Sequence, residues 1–465
     1  MPPPPPPDLS IPKMLAQTKA VAETLTLLLW QVLVNRKPAD RVLAAHLRDH
    51  REFGSRDRRL ISELAYGVFR WYGWLAPLVP LRTATLLETA TAAPGANRRD
   101  AAMPENPIGR PEAWIPLLLT VLELERLDAP AIRDFWRDCC KLRRDAIASL
   151  ATLPPRERAE HYLLAFERPR KLTPEMLLPE WARSAIPETE RPRFTDWLQT
   201  RPPLWLRLQR GEPDAVLAEL AEAGLRPRRS ERLAGAVSIH NPRVNLYLLP
   251  AYREGRVEIQ DLASQAVGAV CAPSPGQRWW DACAGAGGKS LLLAQLMQGR
   301  GTVVASDVRA EKLDDLRKRA RRSGFSNITP RVWDGKPLAA KKATCDGVLA
   351  DAPCTCSGTW RRNPAARWST APDEAAAFPA RQLEILAAAA TAVKPGGVLV
   401  YATCSVFTAE NEGVVAAFLA ARPEFRLEPV PHPLTGQPTD GQAMLWPWQG
   451  DCDALFAARF RRQGG

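Results

Sequence analysis

The sequence predicts an α/β protein whose C-terminal half is a doubly wound, mostly parallel sheet, preceded by an all-α region and a small α/β region. Three observations lead to this fold class. Apolar residues recur at helical spacing before residue 150, strand and helix signals mix between 204 and 260, and short apolar segments alternate with helical ones from residue 261. Such regular alternation is typical of a parallel sheet with helices on both faces.

Residues 13–155 are predicted to form a helical domain. Two segments carry apolar residues along one helix face; they are Val21, Leu25, Leu28 and Val32, then Ile61, Leu64, Ala65, Val68, Phe69 and Tyr72. Further helices are expected around 115–126 and 131–150, with a long surface loop over 93–111. Residues 1–12, which contain a run of prolines, are expected to be a disordered polyproline II tail.

Residues 156–260 are predicted to form a small α/β connector domain, with a strand in PLWLRLQR and a helix in AVLAELAEAG that ends at Gly224. Residues 261–465 carry the regular alternation. Its segments are WWDACAG, TVVASD, the basic helix EKLDDLRKRARRSG, a strand before VWDG, CDGVLAD, a helix near 380–393, and GGVLVYATCS. Because ligands bind at the carboxyl ends of such strands, we expect the loops after these strands to converge on one crevice.

The composition limits the class of partner and the compartment. A formal net charge of +12 favours a polyanion such as RNA or DNA, although GC-biased coding, which enriches arginine, gives a similar charge. Nine cysteines without a CxxC motif suit a reducing cytoplasm, where we expect the protein to act as a monomer. Five scattered histidines form no ligand pattern, so no metal is expected. No apolar run is long enough for a membrane span, and the N-terminus lacks an export signal.

A glycine-rich turn, DACAGAGGKS at 281–290, follows one predicted strand and opens a helix. Its glycines let a ligand approach the backbone, and the helix N-terminus offers free N–H groups. A phosphate-binding P-loop is the alternative, because Gly288, Lys289 and Ser290 fit that motif. The motif's first glycine is replaced by Cys283, however, which disfavours a nucleotide hydrolase.

Two aspartates at later strand ends are candidates for contacts with a nucleoside-containing cofactor. Asp307 ends VVASD, where an acidic side chain commonly binds ribose hydroxyls. The alternative is that it caps the helix over 310–322. Asp334, in VWDG, could reach an adenine ring or could simply form a turn.

Cys354 in DAPCTCSGTW and Cys404 in YATCS each follow an apolar strand-like run. Together with the glycine-rich turn, VEIQDLASQ at 257–265 and the RRNPxxRW segment from Arg361 to Trp368, they resemble the Fmu/Sun family of RNA cytosine-5 methyltransferases. The resemblance covers roughly residues 200–465. The helices around FGSRDRRLISELAYGVFRWY are similar to the NusB-like RNA-binding domain fused to some bacterial members.

The resemblance implies a class I (Rossmann-like) methyltransferase domain that uses S-adenosylmethionine. By similarity, Cys404 is the nucleophile that adds to carbon 6 of cytosine, Cys354 assists its release, Asp351 contacts the base, and Lys289 lies nearby. The residues implied to bind the cofactor are Cys283, Ala284, Gly285, Ala286, Gly287, Gly288, Lys289, Asp307, Asp334 and Asp351. The other reading of each cysteine is a buried, inert thiol.

For RNA contact the basic and aromatic cluster after Cys354 is the candidate, because arginine binds phosphate and tryptophan stacks on unpaired bases; it comprises Arg361, Arg362, Arg367 and Trp368. The alternative is a solvated arginine-rich loop with the tryptophan packed on the sheet. Two departures from the family pattern stand nearby. Ala286 replaces the proline of the glycine-rich motif, and Thr355-Cys356 replaces Ser-Gly and adds a third thiol.

The predicted function is methylation of carbon 5 of a cytosine in RNA, with 16S rRNA as the substrate that the NusB-like resemblance implies. A tRNA or 23S rRNA substrate remains an alternative. So does a non-catalytic RNA-binding or ribosome assembly factor that keeps a degenerate methyltransferase fold.

Overall fold

The computed structural model describes residues 10–92, 101–105, 107–242, 244–336 and 343–464. The chain forms two compact units, each built from separate stretches of sequence. The helical unit comprises Met1–Ser184, Arg191–Gln199 and Asn363–Pro372; the sheet unit comprises Ala185–Glu190, Thr200–Arg362 and Asp373–Gly465. Among the described residues, none of the helices combines the length and apolar character that a membrane crossing requires.

The helices are, in chain order, α1 (Ile11–Leu29), α2 (Ala39–Asp49), α3 (Ser55–Leu75), α4 (Leu81–Ala92), α5 (Ile115–Leu124), α6 (Pro130–Cys139), α7 (Arg144–Leu150), α8 (Pro155–Ala165), α9 (Glu180–Arg183), α10 (Arg191–Leu198), α11 (Pro213–Glu222), α12 (Pro250–Arg253), α13 (Leu262–Cys271), α14 (Gly288–Leu296), α15 (Ala310–Ser323), α16 (Ala366–Ser369), α17 (Pro372–Ala390) and α18 (Glu412–Ala421).

The strands are β1 (Leu204–Leu208), β2 (Pro227–Arg229), β3 (Ala236–Ile239), β4 (Val257–Ile259), β5 (Arg278–Asp281), β6 (Thr302–Asp307), β7 (Ile328–Val332), β8 (Cys345–Asp351), β9 (Val393–Thr403), β10 (Phe425–Leu427), β11 (Gln442–Leu445) and β12 (Leu455–Arg462).

The helical unit has the apolar stripes of α1 and α3 at its core. Val21, Leu25 and Leu28 are buried there, as are the α3 residues from Ile61 to Phe69 that the spacing predicted. The predicted helix over 131–150 is instead two helices, α6 and α7, because Lys141 between them has a positive φ of 55°. Helix α1 begins at Ile11, inside the expected tail, whose residues 1–9 lie outside the described residues. Residues 93–100 and 106 of the expected surface loop also lie outside them.

The sheet unit contains a small antiparallel sheet, with strand order β2-β3-β1-β4, built from the predicted connector. Trp205 of β1 is buried in one apolar cluster with residues of α13 such as Leu262 and Val267. The indole of Trp205 also donates to the backbone oxygen of Asp451 at 2.9 Å. The small sheet therefore shares its core with the residues that follow it.

The larger sheet confirms the predicted α/β class. Its strand order is β10-β12-β9-β8-β5-β6-β7, with β11 paired to β12. Strands β9, β8, β5, β6 and β7 are parallel, whereas β12 runs antiparallel to β9. The order reverses at β5, which has β6 on one side and β8 on the other. Such a switch point opens a crevice at the carboxyl ends of the strands.

Local sequence explains where the helices beside this crevice begin and end. Asp261, in the VEIQDLASQ segment, caps α13 by accepting the backbone N–H of Ala263 at 2.9 Å. Gly324 ends α15 in the left-handed conformation, as a C-terminal glycine commonly does. Gly287, just before α14, has a φ of 88° and lies so close to Leu316 that a Cβ would come within 2.5 Å of its Cγ. Only glycine fits this approach of the turn to α15.

Candidate active site

The carboxyl ends of four parallel strands carry polar residues, three of them at predicted site positions and the fourth, Asp281, not predicted. Asp281 ends β5, Asp307 ends β6 and Asp351 ends β8, while Cys404 follows β9 directly. Because β8 pairs with both β5 and β9, the glycine-rich turn and the two cysteine loops lie at the same edge of the sheet. These loops therefore lie together at one edge of the sheet, as predicted.

The two cysteines are in contact. The Sγ atoms of Cys354 and Cys404 are 3.4 Å apart, and the Sγ atom of Cys356 lies within 4.8 Å of both. Cys354 is buried, Cys404 is half-buried and Cys356 is exposed. All three are free thiols. This edge of the sheet thus holds a group of three sulfur atoms, the thiol cluster (Cys354, Cys356 and Cys404).

The neighbours of Cys404 act on its pKa in both directions. Its hydrogen bond with Cys354 acts to lower the pKa of Cys404, but the nearby Cys356 and burial together raise that pKa to about 12. Lys289 acts in the opposite direction, because its positive charge favours the thiolate. Lys289 is therefore the group beside Cys404 that helps to form a thiolate.

Lys289 and Asp351 form an ion pair at the same edge. The Nζ of Lys289 lies 2.7 Å from Oδ2 of Asp351, and the lysine side chain is only 12% exposed. Burial raises the pKa of Asp351, although Lys289 acts to lower it. Burial acts to lower the pKa of Lys289, but the charge of Asp351 outweighs it and raises that pKa. The lysine is therefore charged and held in place beside the thiol cluster.

Asp281, which the sequence analysis did not select, is fully buried beneath the glycine-rich turn. Its Oδ2 accepts the hydroxyl of Ser290 at 2.6 Å, while its Oδ1 is buried with no hydrogen-bond partner. Burial raises the pKa of Asp281 to about 7. A buried acceptor without a donor, beneath a turn whose Gly285 and Gly287 both have positive φ, suits a polar ligand on this turn.

Asp307 ties the end of β6 to the glycine-rich turn. Its Oδ2 accepts the backbone N–H of Gly285 at 2.9 Å, and its Oδ1 accepts the backbone N–H of Arg309 at the same distance. Burial acts to raise its pKa, but the hydrogen bonds from Arg309 lower the pKa overall, so the group is a carboxylate. Arg309, and not Asp307, is the residue at the start of α15.

Asp334 is exposed and forms a turn. It accepts the backbone N–H of Lys336 at 3.1 Å, and its other oxygen lies 3.1 Å from the ammonium of the same lysine. These contacts correspond to the turn that the sequence analysis gave as the alternative. A role for Asp334 in binding adenine stays a prediction.

Glu410 is the main site residue that the sequence analysis missed. It is buried, and its carboxylate accepts the backbone N–H and hydroxyl of Thr355, the hydroxyl of Ser405 and the side-chain amide of Gln382, at 2.5–3.0 Å. Thr355 follows Cys354, and Ser405 follows Cys404. One carboxylate therefore joins the two cysteine loops. The available signal was a charged ENE triplet six residues after Cys404, next to an apolar helix.

The arginines predicted to bind RNA divide into two groups. Arg361 is 2% exposed and pairs with Asp451 at 2.6 Å, while Arg367 is fully buried and donates to the backbone oxygens of Phe69 and Arg70. Because the protein covers both side chains, their burial disfavours the predicted contact with RNA, which stays a prediction. Arg362 is 56% exposed and pairs with Asp453 at 2.5 Å.

Trp368 also belongs to the helical unit, where it is half-buried. Its indole N–H donates to the backbone oxygen of Phe69 at 2.8 Å, and its ring packs against Tyr72 at 5.2 Å between centroids. The alternative of a tryptophan packed on the sheet is therefore wrong, whereas base stacking by Trp368 stays a prediction. The motif that contains Trp368 joins the helical core instead.

The family model that matches this chain is described as "16S rRNA methyltransferase RsmB/F", and the match covers residues 269–461. This range contains the glycine-rich turn, both cysteine loops and Glu410. Over this range the chain is similar to the RsmB/F family. The sequence resemblance to Fmu/Sun proteins is thereby confirmed.

Curated relatives carry the same family name. The "Ribosomal RNA small subunit methyltransferase B" of Pasteurella multocida (strain Pm70) is 32% identical over 302 residues, which is 62% of this chain and 65% of that protein. The protein of the same name in Salmonella typhi is 32% identical over 275 residues, 58% of this chain and 62% of that protein. The alignments thus span less than two thirds of these relatives' length.

Solved structures support the fold. The structure titled "Crystal Structure of PH0851" superposes with a TM-score of 0.70 at 25% identity, covering 98% of this chain and 100% of that one. NSun6 from Pyrococcus horikoshii, solved with SFG, gives a TM-score of 0.52 at 18% identity over 62% of this chain and 97% of that one. The arrangement of a helical region, a small antiparallel sheet and a class I methyltransferase sheet is therefore shared with known structures.

Proposed function

We propose that this protein is a member of the RsmB/F family that transfers a methyl group from S-adenosylmethionine to carbon 5 of a cytosine in RNA. The observation that carries the proposal is the 3.4 Å contact between the Sγ atoms of Cys354 and Cys404 at the ends of adjacent parallel strands. A thiol that only fills space in a core does not require a second thiol in contact with it, nor a lysine nearby. Two thiols in contact suit a reaction that first adds a sulfur atom to the substrate and later releases it.

The glycine-rich turn fits the cofactor. Gly285 leaves space beside the backbone, Asp307 presents a carboxylate at the tip of β6, and the buried Oδ1 of Asp281 lacks a donor. These residues would hold the amino acid and ribose portions of S-adenosylmethionine. When bound, the cofactor supplies an electrophilic methyl group. The ionised Asp307 and the charged pair of Lys289 and Asp351 suit a ligand with several polar groups.

The proposed chemistry begins at Cys404. Its thiol loses a proton and its sulfur bonds to carbon 6 of cytosine, which converts carbon 5 into an enamine carbon able to accept the methyl group. Asp351 would contact the amine and ring-nitrogen edge of the base, and the positive charge of Lys289 favours the thiolate of Cys404. The carbon 5 proton is then removed while the bond from carbon 6 to sulfur breaks. Cys354, in contact with Cys404, would assist this release.

The RNA substrate is proposed to be 16S rRNA. The family description and the names of the relatives support this choice. The net charge of +12 suits a polyanion, and the exposed Arg362 lies close enough to Cys404 to interact with its charge. The target cytosine must leave any stack to reach the thiol cluster.

Transfer of radiolabelled methyl groups to 16S rRNA, 23S rRNA, tRNA and DNA would test the proposal. Cys404→Ala should abolish transfer. Cys354→Ala should accumulate a protein–RNA adduct that survives denaturing gels, because addition proceeds while elimination stalls. Cys139→Ser, which alters an exposed thiol of the helical unit, is the matched control and should behave as the unmodified protein.

The other outcomes are informative. An adduct with Cys404→Ala but not with Cys354→Ala would exchange the two roles. Transfer to tRNA or 23S rRNA alone would redirect the substrate. Binding of 16S rRNA without transfer by the unmodified protein would favour the non-catalytic assembly factor.

A further inference from the structure

Cys356 gives the cysteine loops a feature that the proposed reaction does not use. The two-cysteine chemistry needs Cys354 and Cys404, whereas Cys356 stands where the family resemblance has glycine. Its φ of 55° lies in the left-handed region, which explains why the family pattern has glycine at this position. The backbone of Cys356 is therefore strained. It nevertheless brings its Sγ within 4.8 Å of both other sulfur atoms.

The spacing of the three sulfur atoms suits one thiophilic cation. A zinc ion bonds thiolate sulfur at about 2.3 Å, so sulfur atoms around a tetrahedral ion lie about 3.8 Å apart. Here one pair is separated by 3.4 Å, and all three sulfur atoms lie within 4.8 Å of one another. Side-chain rotations that shift the sulfur atoms by a few tenths of an ångström to about 1 Å therefore suffice to bring all three sulfur atoms to one ion.

Access and surroundings also suit an ion. Cys356 is exposed, so a cation can enter from solvent without opening the sheet. Three thiols that bind a divalent cation release three protons to solvent, which leaves a complex with a net charge of −1. Lys289 and Arg362 both interact with the charge of Cys404, and these cations temper that negative charge. Thr355, between Cys354 and Cys356, is held by Glu410, which fixes the backbone between two of the ligands.

We infer that the thiol cluster (Cys354, Cys356 and Cys404) binds one thiophilic divalent cation of the zinc group through three thiolates. Water or a backbone oxygen would complete the coordination. The bound ion occupies the sulfur atom of Cys404, so it blocks that atom from bonding to any other partner. Ion binding is independent of the proposed function, whereas the inhibition of methyl transfer rests on it.

Cadmium titration of the reduced, full-length protein in the absence of oxygen tests the inference. Cd²⁺ bound to thiolates gives an ultraviolet charge-transfer band, and we expect this band to saturate at one ion per chain. Competition with a chromogenic chelator then gives the affinity for Zn²⁺. Cys139→Ser should match the unmodified protein, which would exclude the adjacent Cys139 and Cys140 as the ligands.

Cys356→Gly is the decisive variant, because glycine suits the positive φ and removes one ligand. Loss of an outer-shell group weakens metal sites by about 10–100-fold, so loss of a ligand should weaken Zn²⁺ binding by at least about 100-fold. Cys356→Ser keeps the shape of the side chain and should give the same loss. An unmodified protein without a saturable band, or a Cys356→Gly protein with unchanged affinity, would overturn the inference.

The activity measurement separates the two proposals. One equivalent of Zn²⁺ should lower methyl transfer by the unmodified protein at least tenfold relative to its own metal-free rate. The same addition should inhibit Cys356→Gly much less, again relative to its own rate. A saturable cadmium band in a protein that never transfers methyl groups would contradict the proposed function and leave the ion site standing. Stoichiometric binding without inhibition would contradict the blocking role.

Discussion

Glu410 shows how one side chain can position a reactive pair that it does not touch. Its carboxylate accepts hydrogen bonds from Thr355 and Ser405, the residues that follow Cys354 and Cys404, and from Gln382 of α17. Hydrogen bonds to an ionised acceptor are stronger than neutral ones, and buried donors are costly to leave unpaired. The 3.4 Å contact between the two sulfur atoms therefore depends on a residue outside both cysteine motifs.

Glu410→Ala should lower kcat for methyl transfer by at least tenfold while leaving cofactor affinity unchanged. The variant leaves the Thr355 N–H and the Gln382 amide without an acceptor, each costing about 1–3 kcal/mol, so the cysteine loops lose their fixed spacing. Glu410→Gln should recover most of the rate, because its amide oxygen accepts the two N–H groups and the hydroxyls can turn to accept from its NH₂. Assays well below each variant's melting temperature separate this effect from unfolding; an unchanged kcat in Glu410→Ala would refute the positioning role.

The buried Asp281 should make stability depend on pH. Burial raises its folded-state pKa to about 7, above the ordinary value of 3.8. Below pH 3.8 Asp281 is protonated in both the folded and the unfolded state, so it does not lower the free energy of unfolding. Between pH 3.8 and about 7 the unfolded state ionises first, so stability falls as the pH rises, by about 4 kcal/mol in total.

Asp281→Asn should lack this contribution. The melting temperature of the variant, relative to that of the unmodified protein, should rise steadily between pH 4 and 7 and level off above 7. Differential scanning calorimetry across this range measures the difference. A difference that does not change with pH would mean that Asp281 is not protonated in the folded protein.

At the scale of elements, the glycine-rich turn between β5 and α14 is shaped by its fit against α15. Gly287 lies against Leu316 of that helix, whereas Gly285, two residues earlier, has open space around its Cα. Both have positive φ. Gly285 therefore requires glycine for its backbone conformation alone. Gly287 requires glycine both for its backbone conformation and for its close packing against α15.

Gly287→Ala should be more destabilising than Gly285→Ala. In each variant the left-handed conformation of alanine lowers the stability by about 1–2 kcal/mol. Only Gly287→Ala also forces a methyl group to 2.5 Å from Leu316, and this overpacking costs about 1–3 kcal/mol more. The melting temperature of Gly287→Ala should therefore be lower than that of Gly285→Ala by at least about 2 °C. Equal melting temperatures would show that α15 moves aside without cost.

At the scale of the whole molecule, the units do not follow the order of the sequence. Asn363–Pro372 comes after Cys354 in the chain but belongs to the helical unit, whose core includes Ala365. Arg367 in this segment is buried and donates to backbone oxygens of α3, and burial lowers its pKa to about 9. The conspicuous arginines of the motif thus serve different ends, Arg367 in folding and Arg362 at the surface.

Arg367→Ala and Arg362→Ala should have opposite signatures. Arg367→Ala removes a buried side chain and the donors to Phe69 and Arg70, so it should lower the melting temperature and leave RNA affinity of the folded protein unchanged. Arg362→Ala should weaken RNA binding and reduce the slope of log K against log salt by about 1, as expected for one phosphate contact. RNA binding titrations at several salt concentrations measure both; a salt slope that changes only in Arg367→Ala would reverse the assignment.

Periodicity and motif order determined the fold class, the sequence of strands and the residues at their ends. Asp307 and Asp351 end their strands, whereas Lys289, Cys354 and Cys404 lie in the segments that follow strands, and the parallel arrangement brought them to one edge as predicted. This prediction succeeded because the carboxyl ends of parallel strands lie at the same edge of a sheet, whatever the length of the connections between the strands. The helix-face stripes of α1 and α3 were likewise sufficient, since a helix must bury its apolar face.

Only the tertiary structure decided which polar residues face solvent and which face the protein. The arginine-rich motif has the composition of an RNA contact, yet Arg361 and Arg367 are buried, where they pair with Asp451 and with backbone carbonyls distant in sequence. The importance of Glu410 depends on donors from three other segments, and Cys356, a left-handed residue at the turn, lies within 4.8 Å of two other thiols. Local sequence determines what a segment can form, but burial and pairing depend on neighbours that only folding supplies.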